Sequence, residues 1–147
     1  MSEVRNLGYE DYQSLLATFV TFLLEELGES LISVVLYGSV ARGEARELSD
    51  LDLLVVWKEA PEIYYERLQP ILRAKRRLEG REVYRELCRG DRRPYLNCLV
   101  FSQEEARENR ALFLDMIEDS ILLFDQGGFF ENRLGELMSR LETLGSK

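Results

Sequence analysis

Two seven-residue segments, Leu31–Tyr37 and Leu51–Trp57, are apolar along nearly their whole length and rich in Val and Leu. Segments this short, with no polar alternation and with Gly28 and Gly38 bounding the first, read as buried strands. Helical spacing surrounds them. Tyr12, Leu15, Leu16, Phe19, Val20, Phe22, Leu23 and Leu27 predict a helix from Tyr9 to about Leu27 that stops at Gly28. The stretch from Pro61 to about Arg89 is helical in composition, with Pro70 and Gly80 expected to kink or divide it. Tyr95–Phe101 reads as a third strand. Ser102 with Glu105 forms a capping-box pattern that opens a helix from about Gln103 to Glu118. Ile121–Phe124 is a short fourth strand, closed by the turn Asp125–Gly128, and a last helix covers about 129–144. Helices alternating with strands predict an α/β (α+β) domain, a small mixed sheet of about four strands flanked by helices. One domain is expected over 1–147, with a core at about 9–125.

Composition narrows the chemistry. With 147 residues and 46% apolar content there is enough material for one core, and neither a disordered tail nor a fibrous repeat fits. The formal net charge of −8 argues against nucleic-acid binding by bulk positive charge. The chain has no histidine, which excludes imidazole-based triads and histidine-bearing metal sites. Two cysteines, Cys88 and Cys98, cannot form a four-thiolate zinc site and fit a reducing compartment as small buried hydrophobes. Met1-Ser2-Glu3-Val4-Arg5 lacks the layout of a signal peptide, and no apolar stretch approaches the ~20 residues of a membrane span. A soluble, cytoplasmic protein with no membrane association is the expectation.

The chemistry concentrates between the two central strands. The first strand ends in Gly38-Ser39, and the small, polar segment to Ser49 is expected to hold a short helix or helical turn. Gly38 lets the backbone pass close to a ligand, while Ser39 and the free amides of a helix start offer donors to a phosphate. Asp50 and Asp52 then stand at the start of the second strand, where residues i and i+2 share a face about 6.5–7 Å apart. No Lys or Arg at 49, 51 or 53 neutralises them. Two such carboxylates call for a cation, and oxygen-only ligation favours Mg²⁺ or Mn²⁺ over zinc.

Gly38-Ser39, ten residues, then Asp50-x-Asp52, with Ala41-Arg42-Gly43 and Ser49-Asp50-Leu51-Asp52-Leu53 alongside, resembles the signature of the DNA polymerase β-like nucleotidyltransferases. Within that superfamily it looks most like the minimal nucleotidyltransferases of prokaryotes, some of which are antitoxins partnering HEPN-type helical proteins. The resemblance implies that Gly38 and Ser39 hold the β- and γ-phosphates of a nucleoside triphosphate, with Arg42 adding charge, and that Asp50 and Asp52 bind Mg²⁺. It further implies transfer of a nucleoside monophosphate, AMP from ATP being the expected form, to a hydroxyl acceptor such as one on a protein. Relatives carry a third Asp or Glu on the next core strand. Here that strand offers Asn97 and Cys98, and an amide or thiol there weakens a second metal and removes a base. The alternative is therefore a catalytically weak nucleotide-binding or antitoxin-like module that acts through a HEPN-type partner.

Two further features stand outside the motif. Arg73, Arg77, Arg81, Arg85 and Arg89 recur every four residues within a segment, 73–93, of nine basic and four acidic residues. The stripe suits a nucleic acid, a triphosphate tail or an acidic partner; the plainer reading is a solvated helix face paired with Glu82 and Glu86. The last helix carries Phe129, Phe130, Leu134, Leu137, Met138 and Leu141, which pack in the core or else meet a second copy or a partner helix.

Overall fold

A computed structural model describes residues 5–47 and 49–145. The reading of the first four residues, and Leu48 between the two halves of the motif, lie outside them. Four strands form one sheet: β1 (Leu31–Tyr37), β2 (Leu51–Trp57), β3 (Leu96–Ser102) and β4 (Ile121–Asp125). Their order is β3-β2-β1-β4, with β1 antiparallel to both neighbours and β2 parallel to β3.

The helices explain why the central strands show no polar alternation. On one face, α1 (Tyr9–Leu27) and α3 (Tyr64–Glu79) pack on Leu31, Val34, Leu36, Leu51, Leu53 and Val55. On the other, α5 (Gln103–Ala106), α6 (Ala111–Asp119) and α7 (Phe129–Gly145) cover Ile32, Val35, Leu54 and Val56. Each inner strand is thus apolar on both sides. The second layer is closed by aromatics: the Phe113 ring meets Phe130 edge-on at 5.2 Å between centroids. Such a buried Phe contributes about 1.5–3 kcal/mol through the area it removes from water.

Two short helices complete the chain, α2 (Gly38–Ala41) after β1 and α4 (Glu82–Arg85) after α3. The long helical region starts at Tyr64 rather than Pro61, because the Pro61 carbonyl accepts from the buried Arg67 Nε (2.5 Å) and Ile63 is extended. Pro70 stays inside α3, and it is Gly80 that ends the helix. The expected helix from Gln103 to Glu118 is divided at 107–110. There the buried Arg133 of α7 donates to the Ala106 carbonyl (3.0 Å), an acceptor that an unbroken helix would have used, and to Asn109 Oδ1 (3.0 Å).

The start of α7 is anchored to β1. Asp125 Oδ1 accepts from the Ser33 hydroxyl (2.7 Å) and from the Phe130 amide (2.9 Å), while Oδ2 accepts from the Glu131 amide (2.9 Å). Farther along, Phe130 and Leu137 are core residues, whereas Met138, Leu141 and Leu144 are exposed. The last helix therefore fits the core-packing reading along only part of its apolar face.

The arginine series does not form a single free stripe. Arg73 pairs with Glu26 (2.7 Å), Arg77 with Glu25, and Arg89 with Glu47 (3.5 Å). Arg77 and Arg81 also lie over the Phe22 ring, at 4.1 and 5.7 Å from its centroid. The plainer reading holds with different partners, since the carboxylates come mainly from α1 and not from Glu82 and Glu86. Among the described residues no helix is long and apolar enough to cross a membrane.

Candidate active site

The bend after β1 and the start of β2 meet at one end of the sheet. Tyr37, Asp52 and Asn97 are register partners on β1, β2 and β3, forming a row across three adjacent strands. Gly38 follows directly, at φ +79°, a conformation that L side chains rarely adopt. A Cβ built there would fall onto Asp52 Oδ2, with Asp52 Cγ at 3.3 Å. The Asp52 carboxylate therefore projects into the space left by the missing side chain, toward the Gly38-Ser39 bend.

The loop between these elements is pinned at several points. Leu7 and Ala45 exchange backbone hydrogen bonds (2.7 and 3.1 Å), so the segment before α1 holds the connection in place. Ser49 Oγ accepts from the Arg46 amide (2.9 Å), closing a turn just before Asp50. Asp50 itself is exposed and stands one residue ahead of β2. Ser39 is half-buried in the first turn of α2, whose leading amides have no partner within so short a helix. Arg42 is exposed and forms an ion pair with Glu44 (3.2 Å). Gly38, Ser39 and Asp52 are thus brought together, Asp50 flanks them, and Arg42 is engaged by its neighbour. Among the described residues neither Asp50 nor Asp52 is in an ion pair.

Two residues without an assigned role in the motif complete the row. Asn97 Nδ2 donates to Asp52 Oδ1 at 3.1 Å. Of the two residues weighed for the third acidic position, it is Asn97 that faces the site. Cys98, in register with Leu53, packs on the α1/α3 side, where burial pushes its thiol up to about 12 against the opposing charge of Lys75. Tyr37 is half-buried beside Asp52. Burial raises its phenol above the ordinary value, and the negative charge of Asp52 adds to the effect, so it stays a neutral hydroxyl at physiological pH. Strand register was the signal for both: Asn97 is the second residue of its strand, as Asp52 is of the parallel neighbour.

The donor chemistry suits a hard divalent cation. It consists of carboxylate oxygens beside a cradle that Gly38 keeps open, with no thiol turned toward it. Among the described residues no three His, Cys, Asp or Glu side chains gather as a metal-holding group.

Comparison with known proteins defines the class. Residues 16–93 match the family model described as a nucleotidyltransferase domain, and those 78 of the chain's 147 residues include the whole bend-and-carboxylate segment. The chain belongs to the nucleotidyltransferase domain family. It is similar to "Putative protein adenylyltransferase MJ1305" of Methanocaldococcus jannaschii, 36% identical over 74 residues, 50% of this chain and 42% of that protein. The chain thus matches less than half the length of that curated relative. Among solved structures it is similar to a tri-AMPylated Shewanella oneidensis HEPN toxin in complex with MNT antitoxin, with a TM-score of 0.53 at 13% identity, covering 91% of this chain and 90% of that one. It is also similar to spectinomycin adenyltransferase AAD(9) of Enterococcus faecialis with ATP and spectinomycin, with a TM-score of 0.55 at 15% identity, covering 84% of this chain and 58% of that one. These likenesses confirm the fold, and the minimal nucleotidyltransferase antitoxins are among the neighbours.

Proposed function

We propose that the chain, acting as one nucleotidyltransferase domain, moves a nucleoside monophosphate, AMP from ATP, to a hydroxyl acceptor. The observation that carries this reading is the Asp52 carboxylate set against the bare Cα of Gly38, with no ion pair to it among the described residues. Asp50 and Asp52 would hold Mg²⁺ or Mn²⁺, which would supply Lewis-acid stabilisation of charge on the phosphate oxygens. Gly38 permits close approach of the triphosphate. Ser39 and the leading amides of α2 donate to its phosphate oxygens. The acceptor oxygen bonds to the α-phosphorus as the bond to the bridging oxygen breaks and pyrophosphate leaves; the hydroxyl proton passes to water. The protein's contribution is mainly orientation, since the pinned loop fixes the bend relative to the carboxylates before substrate arrives.

The test is calorimetric titration of the chain with ATP and Mn²⁺, wild type against a double Asp50→Asn, Asp52→Asn variant. Loss of metal-dependent affinity without loss of fold is expected, and unaltered affinity in the double variant would contradict the assignment.

A second reading draws on Asn97, which stands where the family resemblance implies an acidic residue, and on the toxin–antitoxin complexes among the neighbours. In it the chain binds nucleotide weakly and acts through a HEPN-type partner. Incubation with radioactive ATP separates the two: label transferred to a coexpressed HEPN-type protein supports the enzyme, and a stable unlabelled complex supports the binding module.

A further inference from the structure

We propose that Asn97 is the positioning residue of this site: its amide holds the Asp52 carboxylate in place and limits the site to a single divalent cation. The inference rests on the reading of Asp52 as a metal ligand. An ionised carboxylate only accepts hydrogen bonds, so the amide must present its NH₂ group to it. That bond, 3.1 Å from Asn97 Nδ2 to Asp52 Oδ1, leaves Oδ2 as the oxygen that faces the Gly38 cradle. The two oxygens of Asp52 are thereby given separate tasks.

The arrangement is built in by the sheet. Asp52 and Asn97 are opposite one another in the parallel β2–β3 ladder, between the pairs Leu51–Leu96 and Leu53–Cys98. Asn97 is itself exposed, so core packing does not account for its orientation. A site with two cations about 3.5–4 Å apart stabilises both attacking and leaving oxygens, and needs carboxylate oxygens free for both ions. Here the second oxygen of Asp52 meets the positive end of an amide, and a cation cannot share that position.

The experiment is Mn²⁺ binding to the full chain without nucleotide, followed by electron paramagnetic resonance, with circular dichroism confirming the fold of each variant. Wild type is expected to take up one Mn²⁺ per chain. Asn97→Ala should weaken binding by about tenfold or more, the usual effect of removing a hydrogen bond that orients a ligand. Asn97→Asp, the same size but with a carboxylate in place of the donor, should take up two. Unchanged affinity in Asn97→Ala, or a single ion in Asn97→Asp, overturns the proposal while the nucleotidyl-transfer reading stands, provided Asp52→Asn still abolishes binding. Unchanged binding in Asp52→Asn removes the basis of both.

Discussion

The backbone of Gly38 and the carboxylate of Asp52 occupy adjoining space, so closely that a methyl group on the first would overlap an oxygen of the second. Gly38 at φ +79° also lies in a region where a side chain costs about 1–2 kcal/mol. Gly38→Ala should therefore lower stability to denaturant by about that amount. It should also displace the carboxylate and reduce Mn²⁺ affinity about tenfold or more. Calorimetry and urea unfolding measure the two effects separately, and wild-type affinity in this variant would show that the cradle plays no part.

Acid should weaken the fold through Glu105. Partial burial opposes its ionisation, but hydrogen bonds from Arg67 and Ser102 outweigh that effect and hold its carboxyl below the usual value of 4.5. A carboxyl depressed in the folded state stabilises above its unfolded pKa, and that contribution disappears as pH falls through the folded one. Glu105→Gln should melt below wild type at pH 7, and the gap should narrow toward pH 3. Melting curves across that range would reveal a parallel pair of profiles if the Arg67 contact were without weight.

Replacing Arg133 by Met should destabilise the chain by about 1–3 kcal/mol, the cost of leaving the carbonyl of the buried Ala106 without its donor. Its guanidinium supplies the Ala106 carbonyl and Asn109 Oδ1 at the junction of α5 and α6. Hydrogen exchange should report the loss first at residues 106–110. Exchange there as slow as in wild type would contradict the assignment.

Cys98 should resist alkylation. With its thiol pushed up to about 12 by burial, almost none is thiolate at pH 8, and the thiolate is the reactive form. Peptide mapping after brief treatment with N-ethylmaleimide should find Cys98 unmodified in the native protein and modified in urea.

Local pattern sufficed where local physics decides. β1, β2 and α1 have the limits read from their apolar runs, because burial on two faces or along one stripe leaves a direct mark on residue type. The Gly38 and Asp52 pairing was legible for a related reason: both residues stand at the ends of those strands. What escaped is what distant residues impose. The division at 107–110 depends on Arg133, far along the chain, and the partners of Arg73 and Arg77 lie on α1 rather than four positions away. Asn97 was visible as a departure, but its bond to Asp52 follows only from the register of β3 against β2.

Asp125 ties the first turn of α7 to Ser33, on the same inner strand that runs on to Tyr37 and Gly38. The exposed end of that helix, with Met138, Leu141 and Leu144, thus projects from a first turn fixed to β1. The root of the last helix and the bend beside the carboxylate therefore share one strand as their common support.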